Sequence, residues 1–275
     1  MNVLLSGPWV GEFGWEIMKW VPFVRYEVEN NKYDDVIICT KHGNEYLYKD
    51  IAKNFIYVNR PIKNIMGCKY NNMNPSFKED EIENIKSRYN KKTKITILSP
   101  NNETLVSNNN KLKYIKYGKV DKIYKYDILI HARSTNNMNS NFKNWSINKW
   151  NDFALFYKNK DIKIGCIGKK NLAYVVKNTD NLLDIDLETL CNIMANSRII
   201  LGPSSGPMHL ASLCKLPHLV WTDKILYGGI GKKDNRYRYE KLWNPFNTKC
   251  WIMDDCNWNP HLTDIAKFVR NYLMI

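Results

Sequence analysis

The residues able to do chemistry gather at three addresses. One is "GPSSGPMHLAS", residues 202–212, set between the apolar run Arg198 to Leu201 and a helix-like run. Gly202 and Gly206 permit a tight turn and a close approach. Ser204 and Ser205 offer hydroxyls, and Pro207 suits a first helical position, where no N–H is needed. The free N–H groups of a helix's first turn, with its dipole, bind phosphate. The stretch therefore reads as a diphosphate cradle, although an ordinary helix cap has the same composition. A second address is the loop "GPWVGEFGWEIMKW", where Gly7, Gly11 and Gly14 leave room for a ligand. Its Glu12 and Glu16 are acidic groups that a helix N-terminus would favour. The third is the end of the apolar run "DILIHA", where Arg133 and Ser134 are placed to hold an anion. Arginine binds phosphate through two parallel N–H groups. His131, inside or just past that run, reads as a core or orienting histidine.

These addresses need strands to end at them. "NVLLSG", "DDVIICT" and "NFIYVN" read as strands, alternating with helical readings over "WEIMKWVPFVRYEVE" (despite Pro22) and "HGNEYLYKDIA". "EDEIENIKSRYNK" reads as an exposed helix and "KITILSP" as a strand, before a polar, Asn-rich linker. From Asp127 a second series runs "YDILIHARS" (strand), "SINKWNDFALFYKN" (helix) and "IKIGCIG" (strand). Ser146 is expected to cap that helix, with Trp150, Phe153, Ala154 and Tyr157 on one face. Then come "LETLCNIMANS" (helix), "RIILG" (strand), "GPMHLASLCK" (helix), "PHLVWT" (strand) and a terminal helix capped by Thr263. Alternation of this kind predicts parallel βαβ units. The expected fold is α/β with two Rossmann-like domains, residues 1–120 and 121–275. Lys169 and Lys170 follow a strand end and read as nucleotide-flanking or solvated. The stretch 236–253 mixes cations and aromatics, able to stack a base or to pack over the site. "YGGIGKKDN" before it suits a lid.

The segment "NSRIILGPSSGPMHLASLCKLPHLVW" resembles the donor-binding segment of glycosyltransferase family 9, the heptosyltransferases. Ser205, Gly206, Pro207, Met208, His209, Leu210 and Ala211 match its D-S-G-P-M-H-L-A run, and Ser204 stands where that run has Asp. "NLLDIDLETLCNIMANSRIIL" and "ILIHARS…FKNWSINKW" resemble neighbouring family segments, so the likeness extends over about residues 127–222. It implies a GT-B fold of two facing Rossmann-like domains, the first on the acceptor side and the second binding the nucleotide sugar. It also implies a terminal helix that crosses back to the first domain. Through it Lys143, Ser204, Ser205, Gly206, Pro207, Met208 and His209 join Arg133 and Ser134 as expected donor-binding residues. A Gly–acid pair follows the family's first strand and carries its proposed base. Glu12 keeps that pair, with Gly11 and Gly14 beside it, while Glu16 keeps the spacing to Pro22.

The implied activity is transfer of a sugar from a nucleotide sugar to a hydroxyl acceptor, a surface glycan or lipid-linked sugar, with inversion. No DxD motif or histidine pair suggests a metal, so a metal-independent reaction with no cofactor beyond the nucleotide-diphosphate sugar is expected. The chain has 275 residues and a formal charge of +14. Its richness in Lys, Asn, Ile and Tyr suggests an AT-rich gene and a solvated basic surface. An anionic surface or a nucleic-acid acceptor, such as a hydroxylated DNA base, is the alternative source. A nucleotide-sugar epimerase and a non-catalytic nucleotide- or glycan-binding protein remain competing functions. No run of 18 apolar residues suggests a transmembrane segment. With no leader pattern at the N-terminus and seven cysteines free of any CxxC pair, the expected location is cytoplasmic, with reduced thiols.

Overall fold

Continuous apolar runs such as Val3–Leu5 and Val36–Ile38 cannot leave a face in water, so they form strands covered on both sides. In the computed structural model they build two parallel sheets. The structure describes residues 1–57, 76–101, 105, 110–121, 123–136, 141–224 and 235–275. The chain divides into two compact units, Met1–Ile115 and Lys116–Ile275.

In the first unit β1 (Asn2–Ser6), β2 (Asp35–Thr40), β3 (Asn54–Tyr57) and β4 (Lys94–Leu98) are ordered β3-β2-β1-β4. Val3, Leu5, Ile37 and Cys39 pack with Phe77 and with Ile85 of α3 (Glu79–Lys86). The helix expected to be exposed thus carries a buried residue. After β1 the short helix α1 (Phe13–Trp15) leads through a π-turn, Glu16–Trp20, into α2 (Val21–Asn30). Pro22 is tolerated because it falls in the first turn of α2, just past the π-turn. The helix expected over "HGNEYLYKDIA" is only a 3₁₀ turn, Glu45–Tyr48. The buried guanidinium of Arg25 takes the Leu47 carbonyl at 3.0 Å, an acceptor that a continuing helix would need. Arg25 also grips Asp50 through Nε at 2.6 Å and Nη2 at 3.0 Å.

In the second unit six strands are ordered β10-β9-β8-β5-β6-β7. They are β5 (Tyr126–Ile130), β6 (Ile164–Gly168), β7 (Asp180–Leu183), β8 (Ser197–Pro203), β9 (His218–Trp221) and β10 (Cys250–Met253). The helices are α4 (Ile147–Tyr157), α5 (Leu187–Ala195), α6 (Gly206–Leu213), α7 (Asn235–Tyr237) and α8 (Leu262–Leu273). Strands β7 and β10 were not expected: each has four residues and neither carries a long β-branched run. Ser146 does cap α4, accepting from the Lys149 N–H at 3.3 Å. Trp150, Phe153, Ala154 and Tyr157 are buried as the periodicity requires. His261, without a side-chain cap bond, occupies the N-cap position of the terminal helix, and Thr263 lies inside its first turn. Its Ile265, Val269 and Leu273 join the core of the second unit. Among the described residues no helix is long and apolar enough to cross a membrane.

Two single changes test this packing. Ser146→Ala should lower unfolding free energy by about 1 kcal/mol in a urea titration. Gly7 has φ +121°, and a Cβ there would lie 2.3 Å from the Cys39 carbonyl oxygen. Gly7→Ala should therefore cost about 2 kcal/mol or more, seen as a lower denaturation midpoint.

Candidate functional site

In the second sheet the chain runs outward in one direction through β5, β6 and β7 and in the other through β8, β9 and β10. The crevice where strand order reverses, beyond the carboxyl ends of β5 and β8, is where open α/β sheets bind ligands. His131–Ser134 and Gly202–Pro207 both lie at these ends. Gly202 keeps the junction uncrowded: a Cβ there would meet Met208 Sδ at 3.0 Å and His131 Cβ at 3.2 Å. His131 Nδ1 lies 2.9 Å from Ser205 Oγ, joining the two strand ends directly.

The turn differs from an amide nest. The Ser204 N–H donates to the Trp221 carbonyl at 3.0 Å, and the Ser205 N–H to Tyr239 Oη at 3.3 Å. The Met208 and His209 amides turn back to the Ser205 carbonyl at 3.1 and 3.3 Å. Pro207 has no N–H, which leaves the Gly206 amide; Ser205 Oγ meets His131 Nδ1 and Ser204 Oγ accepts from Tyr239 Oη at 3.1 Å, so each hydroxyl keeps part of its hydrogen-bonding capacity for a ligand. Ser204, Ser205, Gly206 and Pro207 are partly exposed, while Met208 is fully buried beneath them. His209, expected at the ligand, also lies underneath. Its ring stacks on Tyr239 at 4.4 Å and meets the edge of Trp243 at 4.5 Å. Tyr239 and Trp243 belong to the 236–253 stretch, so this part of it packs under the turn.

Cations lie near this turn: the field of Arg133 reaches His131, and those of Arg238 and Lys143 reach His209. Arg133 is held by its Nη1 donating to Asn144 Oδ1 at 2.6 Å, and Asn144 Nδ2 donates to the Thr135 carbonyl at 2.9 Å. The Ser134 N–H is fixed on the Leu172 carbonyl at 2.8 Å. Lys143 sits over the Trp258 ring at 4.5 Å, and Arg238 over Trp243 at 4.4 Å. Burial, then the field of Arg133, lowers the His131 pKa to about 3. Burial, then Arg238, His218 and Lys143, pushes His209 well below its ordinary value. Both rings are therefore neutral at pH 7. Lys169 and Lys170 are exposed beyond β6. Arg236 is committed to Asp254, at 2.9 and 2.8 Å. Of the lid-like stretch 227–235, residues 227–234 lie outside the described residues, and Asn235 donates through Nδ2 to Thr222 Oγ1 at 2.6 Å.

In the first unit, the loop after β1 also sits where strand order reverses. The Gly7 N–H donates to Leu98 at 2.8 Å, and the Trp9 N–H to Cys39 at 2.9 Å. The loop is thus packed down, with Gly11 buried. Its two glutamates differ completely. Glu16 is wholly buried: Thr40 Oγ1 and Tyr48 Oη donate to Oε1 at 2.7 and 3.0 Å, and Asn44 Nδ2 donates to Oε2 at 2.7 Å. Burial raises its pKa against the opposing field of Lys41 and these hydrogen bonds. Glu12 is exposed and precedes α1, which contains Gly14. Lys41 bonds the Gly11 carbonyl and feels both carboxylates, though burial lowers its own pKa. Sequence reasoning missed Tyr239, Asn144 and Lys41. Their roles come from long-range contacts that no spacing encodes.

No family model and no curated protein matches the chain. Solved structures do. E. coli ADP-heptose LPS heptosyltransferase II matches with a TM-score of 0.61 at 9% identity, covering 100% of this chain and 99% of that one. E. coli heptosyltransferase WaaC with ADP matches with a TM-score of 0.54 at 10% identity, covering 100% and 98%. A glycosyl transferase family 9 structure from Veillonella parvula gives 0.54 at 11% identity, covering 100% and 89%. The likeness is one of fold, and that fold is GT-B.

A pH dependence follows from the buried rings. His131 and His218 are lowered to about 3 and about 4 by burial, and His209 lies well below its ordinary value. The unfolded chain binds protons near pH 6.5 that these folded rings refuse. Their contribution is therefore present above about pH 6.5 and lost as pH falls toward their folded values. Glu16 acts oppositely, but as one group against three. Urea midpoints should be lower at about pH 5 than at about pH 7, and His131→Asn should narrow the difference.

Proposed function

We propose that this chain is a glycosyltransferase that moves a sugar from a nucleotide-sugar donor to a hydroxyl acceptor, with inversion and without a metal. The observation that carries the reading is the crevice between β5 and β8. There the Ser204 and Ser205 hydroxyls, the Gly206 amide and Arg133 lie at one strand-order reversal, and the fields of Lys143 and Arg238 reach His209 beneath it. This suits a diphosphate, whose charge must be held in the donor and stabilised further as it leaves. One solved structure of similar fold is E. coli heptosyltransferase WaaC with ADP, which supports a nucleoside diphosphate as ligand.

In this reaction an acceptor oxygen attacks the anomeric carbon. The glycosidic bond to the diphosphate breaks, and the acceptor's proton passes to a general base. Glu12 is the proposed base because it is exposed, whereas Glu16 has both oxygens committed inside the first unit. Glu16 is instead a structural carboxylate that orders the loop carrying Glu12. The leaving diphosphate takes its charge to the arginines and Lys143, so no metal is required. The acceptor is a glycan or lipid-linked sugar. The charge of +14 favours, as a second reading, a nucleic-acid acceptor.

A thermal-shift screen against nucleotides and nucleotide sugars in the presence of a chelator tests the donor site. One nucleoside diphosphate and its sugar should raise the melting temperature, and Arg133→Ala should abolish the rise. No shift with any nucleotide would refute the reading. With donor and acceptor found, Glu12→Gln should lower kcat by about 10²–10⁴ while nucleotide binding is retained. Steep loss of acceptor binding with added salt would select nucleic acid over a neutral glycan.

A further inference from the structure

A serine hydroxyl stabilises an anionic oxygen only by donating its hydrogen. What it can donate depends on what its oxygen already accepts. At this turn the question matters, because four amides of residues 204–209 are already committed. Tyr239 decides the answer for Ser204. Its Oη accepts the Ser205 N–H at 3.3 Å, which leaves its own hydrogen for Ser204 Oγ at 3.1 Å. The phenol is fixed in place: it is 1% exposed, and its ring is stacked on His209 with 19° between the planes. Burial raises its pKa, so it keeps the proton that it donates.

Resting on the donor-site reading above, we propose that Tyr239 is a positioning residue that sets the polarity of the cradle. By donating to Ser204 Oγ it turns the Ser204 hydrogen outward, toward an anionic oxygen of the nucleotide's diphosphate. Tyr239 does not touch the ligand; it acts through Ser204. Residue 204 is then a donor selective for an anionic oxygen, the opposite of what a carboxylate at this position would offer. A carboxylate could only accept, for example from a sugar hydroxyl, and would repel phosphate.

The test measures affinity for ADP and for UDP, each beside its parent nucleoside, by calorimetry on the full chain. Tyr239→Phe keeps the stacked ring and removes the hydroxyl. It should weaken diphosphate binding by about tenfold and leave the nucleoside unaffected. Ser204→Ala should do the same, and the double variant should be no weaker than Ser204→Ala alone. Ser204→Asp still accepts from Tyr239 but offers no donor, so it should lose more diphosphate affinity than Ser204→Ala. Additive losses in the double variant would overturn the inference. So would equal weakening of nucleoside and diphosphate, or wild-type affinity in Ser204→Asp. If Tyr239→Phe does not fold, the comparison of Ser204→Ala with Ser204→Asp decides alone. Wild-type chain that binds neither diphosphate, in a screen where another nucleotide does bind, moves the same test to that nucleotide. Failure with every nucleotide sinks the donor-site reading itself, whereas normal binding by all the variants sinks only the role of Tyr239.

Discussion

The donor-side turn of the second unit is built around a close approach at Gly202 that a side chain would crowd. At Gly202, near the end of β8, an added Cβ would lie 3.2 Å from His131 Cβ at the end of β5 and 3.0 Å from Met208 Sδ. An alanine there would require Met208 or His131 to give by a few tenths of an ångström. Beside it His131 meets Ser205, Met208 is buried and α6 leaves the end of β8. The strand order supplies the rest, since loops diverge only where neighbouring strands lead to opposite sides of the sheet.

The first unit uses a related device to a different end. Gly7 lets the chain turn against the Cys39 carbonyl, and the loop is then drawn inward. Beneath it, Glu16 is surrounded by donors from Thr40, Asn44 and Tyr48. A buried carboxylate is tolerated only when its oxygens are satisfied, and a satisfied one rigidifies what surrounds it. The two glutamates of one loop, four residues apart, therefore have separate duties: one orders the interior, and the other faces solvent.

Much of this was legible in the sequence. The long apolar runs declared eight strands, and the Gly/Pro punctuation located the turn at 202–207. Local rules also identified Ser146 as a cap and the buried face of α4. The rest was hidden because its causes are distant. Strands β7 and β10 are short and take their places from neighbours already in the sheet. The 3₁₀ turn at Glu45–Tyr48 depends on Arg25, some twenty residues earlier. His209 and Met208 sit in a motif that resembles a donor site, yet a motif gives residue types without saying which side of the turn each one faces. The unexpected partner, Tyr239, arrives from 34 residues beyond Ser205. Its contribution is a hydrogen bond of a particular sense, which no pattern of hydrophobicity records.

The aromatic floor of the second unit has a consequence for how the molecule interacts with light. Trp145, Trp150 and Trp221 lie with ring centroids 4.8 to 5.4 Å apart, all fully buried. At such separations the three indoles absorb as a coupled set rather than as independent chromophores. Trp9 and Trp20 form a separate stacked pair, 6.0 Å apart, in the first unit. Each unit therefore carries its own chiral aromatic signature in the near ultraviolet, a built-in reporter of whether its interior is packed.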